Sequence, residues 1–159
     1  MHPNHALIER FYQSFSRREH AAMRACYAPA AVFTDAVFQL QGPRIGAMWH
    51  MLCESGADLE ITFGEIAADD QRGRAHWEAR YTFSSSGRRV HNRIDAEFEF
   101  QAGAISRHRD RFDFWRWSRM ALGPAGWALG WTPLLQRQVQ RTAQRRLERF
   151  VAAHPEYQG

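Results

Sequence analysis

The sequence predicts an α+β fold, with helices packed on one face of a curved sheet. Three observations carry that expectation. Apolar residues recur at helical spacing in the N-terminal part, the period changes to two from Asp58, and short turn signals then separate alternating runs. A sheet bent around helices leaves a cavity between the two layers, the default place for a ligand.

The elements follow in order. Leu7, Ile8, Phe11, Tyr12 and Phe15 recur every three or four residues and predict a first helix, with Asn4 as its cap. After a polar break at Arg17 to Glu19, Ala22, Met23, Cys26 and Tyr27 form the stripe of a short second helix that Pro29 ends. Ala31 to Leu40, rich in Val and Phe, reads as a strand. Gly42-Pro43 opens a helix with Ile45, Met48, Trp49 and Leu52 inward, and Gly56 stops it. Leu59, Ile61 and Phe63 then alternate with Glu60 and Thr62. Trp77, Ala79, Tyr81 and Phe83 share one face of the next strand. Val90, Ile94, Ala96, Phe98 and Phe100 form the apolar face of a long strand from Arg89 to Gln101. Ala102-Gly103 turns the chain, and Ala104 to about Trp117 is expected to return as strand. A Gly-rich connector, Gly123 to Gly130, leads to a last helix opened by Pro133.

Composition narrows the function. All 21 basic residues are arginine, so lysine Schiff-base chemistry and a phosphate-loop lysine are excluded. Residues 1–103 hold 11 Arg against 13 acids; residues 104–159 hold 10 Arg against 4 acids, so the basic excess belongs to the C-terminal part. Arg137, Arg141 and Arg145 share a helix stripe, a pattern more common for a solvated face than for a phosphate-binding one, and no nucleic-acid partner is expected. Cys26 and Cys53 show neither disulfide-framework nor metal-ligand spacing, so no disulfide and no metal site is expected. The first dozen residues lack the apolar run of a signal peptide, and the apolar stretch Trp127 to Leu135 is broken by Gly130 and Pro133. A cytoplasmic protein without a membrane partner is expected.

The segment richest in chemistry is Gly103 to Asp113. Strand alternation puts His108 and Asp110 on one face, continued by Phe112, with Arg107, Arg109 and Arg111 on the other. Ionisable groups beside aromatics form the setting in which a carboxyl becomes a base usable near neutral pH. A two-residue turn places Asp95 across from Asp110, and a four-residue turn places it across from His108. Either register gathers Asp95, His108 and Asp110 with Arg93 and Glu97. The same residues also read as the solvated side of the sheet. Tyr12, Trp49, Trp77 and Tyr81 are core aromatics that could line a pocket, whereas His91 and Asn92 read as edge or turn polar groups.

These segments resemble the nuclear transport factor 2-like superfamily, in particular its SnoaL-like polyketide cyclase branch. The likeness runs from about Ala6 to Gly123. It rests on Tyr27-Ala28-Pro29-Ala30-Ala31-Val32-Phe33, on Gly42 to Trp49, and on the hairpin Phe98 to Asp113 with its Gly103-x-Ile-x-x-His-Arg-Asp run. The resemblance implies a cone-shaped α+β barrel over residues 1–122, with 123–159 as connector and added C-terminal helix. It also implies a catalytic acid/base at Asp110 with His108 beside it. In the related ketosteroid isomerases the base and the oxyanion-binding carboxyl match Asp35 and Asp95, while their oxyanion tyrosine falls on Phe11, one residue from Tyr12. The Arg-x-Asp of limonene-epoxide hydrolases is replaced by Trp77 and Ala79, leaving only the later carboxyl, Asp110. The expected activity is cofactor-independent isomerisation or cyclisation of a small apolar carbonyl compound. The alternatives are a non-catalytic ligand-binding or assembly domain, and pairing as a homodimer through the open sheet face is expected from the resemblance.

Overall fold

The computed structural model describes residues 1–159. Helices α1 (Pro3–Ser16) and α2 (His20–Ala25) lead into strands β1 (Tyr27–Thr34) and β2 (Gln39–Gln41). Helix α3 (Pro43–Ser55) is followed by β3 (Glu60–Ala68), β4 (Arg72–Phe83), β5 (Arg88–Gln101) and β6 (Ala104–Arg111). Then come α4 (Phe114–Leu122), α5 (Pro124–Leu129), α6 (Pro133–Ala153) and a 3₁₀ turn, Pro155–Tyr157. The strands form one sheet in the order β2-β1-β6-β5-β4-β3. Only β1 and β6 run parallel; every other neighbouring pair is antiparallel. The sheet curves around α1 and α3 as the expected α+β cone.

The predicted apolar stripes meet the concave face of that sheet. Leu7, Ile8, Phe11, Tyr12 and Phe15 of α1 and Ile45, Met48, Trp49 and Cys53 of α3 are buried against Trp77, Ala79, Ile94, Ala96 and Phe98. Arg18 fastens the end of α3: its guanidinium donates to the carbonyls of Cys53, Gly56, Ala57 and Leu59. Carbonyls that the helix itself leaves without partners are thereby satisfied.

Several boundaries differ from expectation. Pro3 at the first turn starts α1 two positions early, so His2 rather than Asn4 is the cap, and the Asn4 side chain donates to the Asp69 carbonyl instead. Tyr27 opens β1 rather than closing α2. Pro29 sits in the irregular stretch of β1 between the Tyr27–Ile105 and Val32–Arg107 pairs, where a missing N–H breaks no ladder bond. The single strand expected over Ala31 to Leu40 is two, because Asp35 Oδ1 accepts from the backbone N–H of Val37 and Phe38 (2.7 and 2.6 Å) and turns the chain. The return strand stops at Arg111: Asp113 caps a new helix by accepting from Arg116 N at 3.0 Å. Phe114, Trp117, Ser118 and Ala121 then bury at helical spacing. The connector is the short α5, packed so closely on α4 that a Cβ at Gly126 would overlap the Ser118 carbonyl.

The C-terminal helix is built into this core. Leu147 is fully buried, and Val151 and Tyr157 join the same apolar cluster as α1 and α3. Leu147→Ala is therefore expected to cost about 2–5 kcal/mol in urea unfolding, the range for a large-to-small change at a buried site. A loss of about 0.5 kcal/mol or less, the range of surface substitutions, would mean that α6 does not pack as described.

Candidate functional site

The site depends on one extra residue in β6. The hairpin turns through Ala102 and Gly103, both with positive φ (52° and 78°), which gives the two-residue turn suited to twisted strands. Near the turn Gln101 pairs with Ala104 and Phe100 with Ile105. Beyond it Glu99 pairs with Arg107, Phe98 with His108 and Ala96 with Asp110, so Ser106 is bulged out. A one-residue slip exchanges the faces of a strand. His108 and Asp110 are thus turned to the concave, apolar face, beside Phe98 and Ala96.

Asp95 consequently does not join them. It pairs with Arg111, its side chain is 78% exposed, and it accepts from His76 Nδ1 at 2.9 Å. Arg93 and Glu97 share that outer face, where Glu97 lies 3.5 Å from Arg111 and Glu99 lies 2.8 Å from Arg107. The expected Asp95–His108–Asp110 cluster is thereby corrected: the bulge separates the carboxylate on β5 from the pair on β6.

His108 and Asp110 are almost wholly buried and joined at 2.9 Å, from Nε2 to Oδ1. The chemistry of the neighbours fixes the direction of the bonds. Trp49 Nε1 can only donate, and it donates to the Tyr27 hydroxyl at 3.0 Å. The Asp110 carboxylate can only accept, so His108 Nε2 donates to it, and the bare Nδ1 of the neutral ring accepts from the Tyr27 hydroxyl at 2.6 Å. Trp77 Nε1 donates to the same Asp110 oxygen at 3.3 Å. A one-way chain runs from Trp49 through Tyr27 and His108 to Asp110, with Trp77 closing it from the other side. Phe11, Phe33 and Phe98 pack around the imidazole, with ring centroids 4.4–5.7 Å away. No group within the chain takes up Asp110 Oδ2.

Asp110 forms part of the wall of a cavity of about 420 Å³, within the range of small-molecule sites. The wall is mainly apolar: Phe15, Phe38, Met48, Trp49, Trp77, Ile94, Phe112 and Trp117 contribute to it. Among the further polar groups on it, Asp35, Tyr81 and Asn92 stand out. Asp35 follows directly on Thr34, which is level with Arg109 of β6. Burial lifts the Asp35 carboxyl to about 6, against the two backbone N–H bonds that lower it, and the Asp110 charge adds to the rise. The Tyr81 oxygen accepts from Trp117 Nε1 at 2.8 Å and keeps its own hydrogen for the cavity; burial pushes this phenol upward. Asn92 is buried on the inner face of β5, and its amide makes no bond within the chain. Leu135, Val139, Thr142 and Arg146 of α6 complete the wall, so the added helix covers the cavity.

Of the nine residues singled out from sequence, Asp110, Asp35, Trp49, Trp77, Tyr81 and Phe112 stand on this wall, and His108 lies behind it. Tyr12 lies outside the wall: it is fully buried between Phe63, Trp77 and Phe98, and its hydroxyl has no partner. Burial, with the Asp110 charge, holds that phenol well above its ordinary range. Sequence reasoning missed Tyr27, assigned to a helix stripe, and Asn92, assigned to an edge. The inward alternation of Val90, Asn92, Ile94 and Ala96 was the available signal for the second.

Comparison with known proteins places this geometry. The fold is that of nuclear transport factor 2-like proteins. A nuclear transport factor 2-like protein of unknown function from Burkholderia pseudomallei superposes with a TM-score of 0.65 at 18% identity, covering 76% of this chain and 98% of that one. An epoxide hydrolase of limonene-epoxide-hydrolase type from M. tuberculosis gives 0.61 at 18% identity, covering 74% and 87%. A putative polyketide cyclase from Xanthomonas campestris gives 0.61 at 18%, covering 72% and 93%. The chain belongs to the SnoaL-like domain family, whose model matches residues 8–108. No curated protein matches the chain.

The chain of bonds makes buried Tyr12 and partly buried Tyr27 behave differently. Tyr27→Phe strands the Trp49 N–H and His108 Nδ1, and is expected to cost about 1–3 kcal/mol in urea unfolding. Tyr12→Phe removes a hydroxyl without a partner and is expected to be neutral or stabilising. Equal losses in the two variants would contradict the assigned bonds.

Proposed function

We propose that the cavity binds a small, mainly apolar carbonyl compound and catalyses proton transfer at the carbon beside the carbonyl, as an isomerase or cyclase. The observation that carries the proposal is the buried Asp110 carboxylate. One oxygen is fixed by two N–H donors, and the other faces an apolar cavity. In that arrangement Asp110 is the general base. His108 and Tyr27 are positioning residues, since each spends its polar atoms on its neighbours and none on a ligand.

The developing enolate oxygen needs donors that are already in place. Asp35 in its protonated form and the Tyr81 hydroxyl supply them, and the Asn92 amide offers another. Arg146, which makes no ion pair within the chain, would meet an acidic substituent at the cavity wall. The proton leaves carbon for a carboxylate, and carboxyl, hydroxyl and amide groups donate to the oxygen, consistent with a chain that lacks lysine.

Exchange of the α-hydrogens of 2-tetralone in D2O, followed by proton NMR, tests the reading without knowledge of the natural substrate. The protein is expected to accelerate exchange above buffer, and Asp110→Asn to lower the rate about 10²–10⁴-fold. Because Asp35 donates only when protonated, the rate should fall as pH rises through about 6. Asp35→Asn, which donates at every pH, should remove that fall. Saturable binding of 2-tetralone with exchange at the buffer rate would contradict catalysis and leave a ligand-binding domain.

A further inference from the structure

Helix α3 has a second chemically loaded face. Met48, Trp49 and Leu52 of α3 contribute to the cavity wall. His50 and Glu54 stand one turn apart on another side of the helix, where the end of α6 packs. There His154, at the cap of α6, meets them: one donor atom from each of His50, Glu54 and His154 lies within 4.8 Å of the other two. Two imidazoles and a carboxylate are the donor types of zinc sites.

Both imidazoles are hydrogen-bonded through Nδ1 before any ion arrives. The His154 Nδ1 is 2.8 Å from the Phe150 carbonyl. A carbonyl only accepts, so Nδ1 carries the hydrogen and Nε2 presents a lone pair. The His50 Nδ1 is 2.8 Å from the Tyr157 hydroxyl, which can accept its hydrogen and free Nε2 toward Glu54. Flat stacking fixes the ring planes: Phe150 lies over His154 at 3.9 Å, and His20 lies over His50 at 3.5 Å. A hydrogen bond on the distal nitrogen of each ring is how metal-bound histidines are oriented.

The geometry points to a binding site for one divalent transition-metal ion, zinc by ligand type, formed by His50, Glu54 and His154 with a fourth position open to water. Tetrahedral ligands about 2.0–2.2 Å from zinc lie roughly 3.4 Å from one another. The observed cluster brackets that spacing, with His50 Nε2 and Glu54 Oε1 at 2.8 Å and the full set within 4.8 Å. The donor atoms therefore stand within about 1.5 Å of the tetrahedral spacing. The oxygen-rich shells that calcium and magnesium require are not offered here. His154 lies beyond residues 8–108, the part that matches the family model, so the site belongs to this chain's added helix. An ion there ties α3 to the end of α6, the helix that covers the cavity.

Sequence spacing gave no sign of it, because His154 lies far along the chain from His50 and Glu54. The expectation of no metal site rested on local Cys and His spacing alone.

Cobalt titration of tag-free protein, stripped with a chelator, tests the site by its visible absorption. One equivalent of Co²⁺ should produce the intense bands of four-coordinate cobalt, and Zn²⁺ should displace it. Glu54→Gln changes a side chain that is 57% exposed and leaves the fold intact; it should weaken binding at least tenfold. His154→Ala should abolish the bands, and Tyr157→Phe should weaken binding about tenfold while keeping every ligand. His76→Ala, in the separate surface group of His76, Glu78 and His91, should leave binding unchanged. Weak pink octahedral spectra, binding that survives both Glu54→Gln and His154→Ala, or loss in His76→Ala would overturn the assignment.

Discussion

One carboxylate, Asp110, governs the site. The Asp110 carboxylate accepts and cannot donate, which gives the polar atoms behind it a single consistent direction. Asp110 takes a hydrogen bond from His108 Nε2, the bare Nδ1 of the neutral ring accepts from Tyr27, Trp49 donates to the Tyr27 oxygen, and Trp77 donates to the same Asp110 oxygen. Buried polar groups are costly unless partnered, so the chain is held in one arrangement by the same low-polarity surroundings that make it strong. The aromatic shell around His108 is therefore part of the electrostatics as well as the packing.

A single bulged residue makes this possible. Without Ser106 out of register, His108 and Asp110 would face outward with Asp95, Glu97 and Arg93, on the surface where those residues now form cross-strand pairs. This marks where the sequence could be read and where it could not. Periodicity showed the helices α1 and α3, the hairpins and the turn at Ala102-Gly103, and alternation paired His108 with Asp110. Which face that pair shares depends on a bulge no local pattern announces, so alternation alone groups Asp95 with the wrong strand face. Tyr27 was hidden for a different reason. Its role arises only where β1, α3 and β6 meet, and no spacing within one segment encodes that meeting.

The arginine-rich C-terminal part also takes on meaning in three dimensions. Arg107 and Arg111 lie against Glu99 and Glu97 on the outer sheet face, balancing charges that stand far off in sequence. Helix α6 buries Leu147 and Val151 in the common core and lays Leu135, Val139 and Thr142 along the cavity. A polar helix thus closes an apolar space that α1, α3 and the sheet leave open. No helix of the protein is long and apolar enough to cross a membrane. Trp115, Trp127, Leu129, Trp131 and Leu134 are exposed along α4, α5 and the start of α6.

The central claim is the direction of the hydrogen-bond chain that ends on Asp110. Nitrogen-15 NMR of protein labelled in histidine reads it most directly, since the chemical shifts of the two ring nitrogens report which one carries hydrogen. For His108 the account predicts a hydrogen-bearing Nε2 and a bare, hydrogen-bond-accepting Nδ1. Hydrogen on Nδ1 with a bare Nε2 would mean that Tyr27 accepts instead of donating, and would contradict the account.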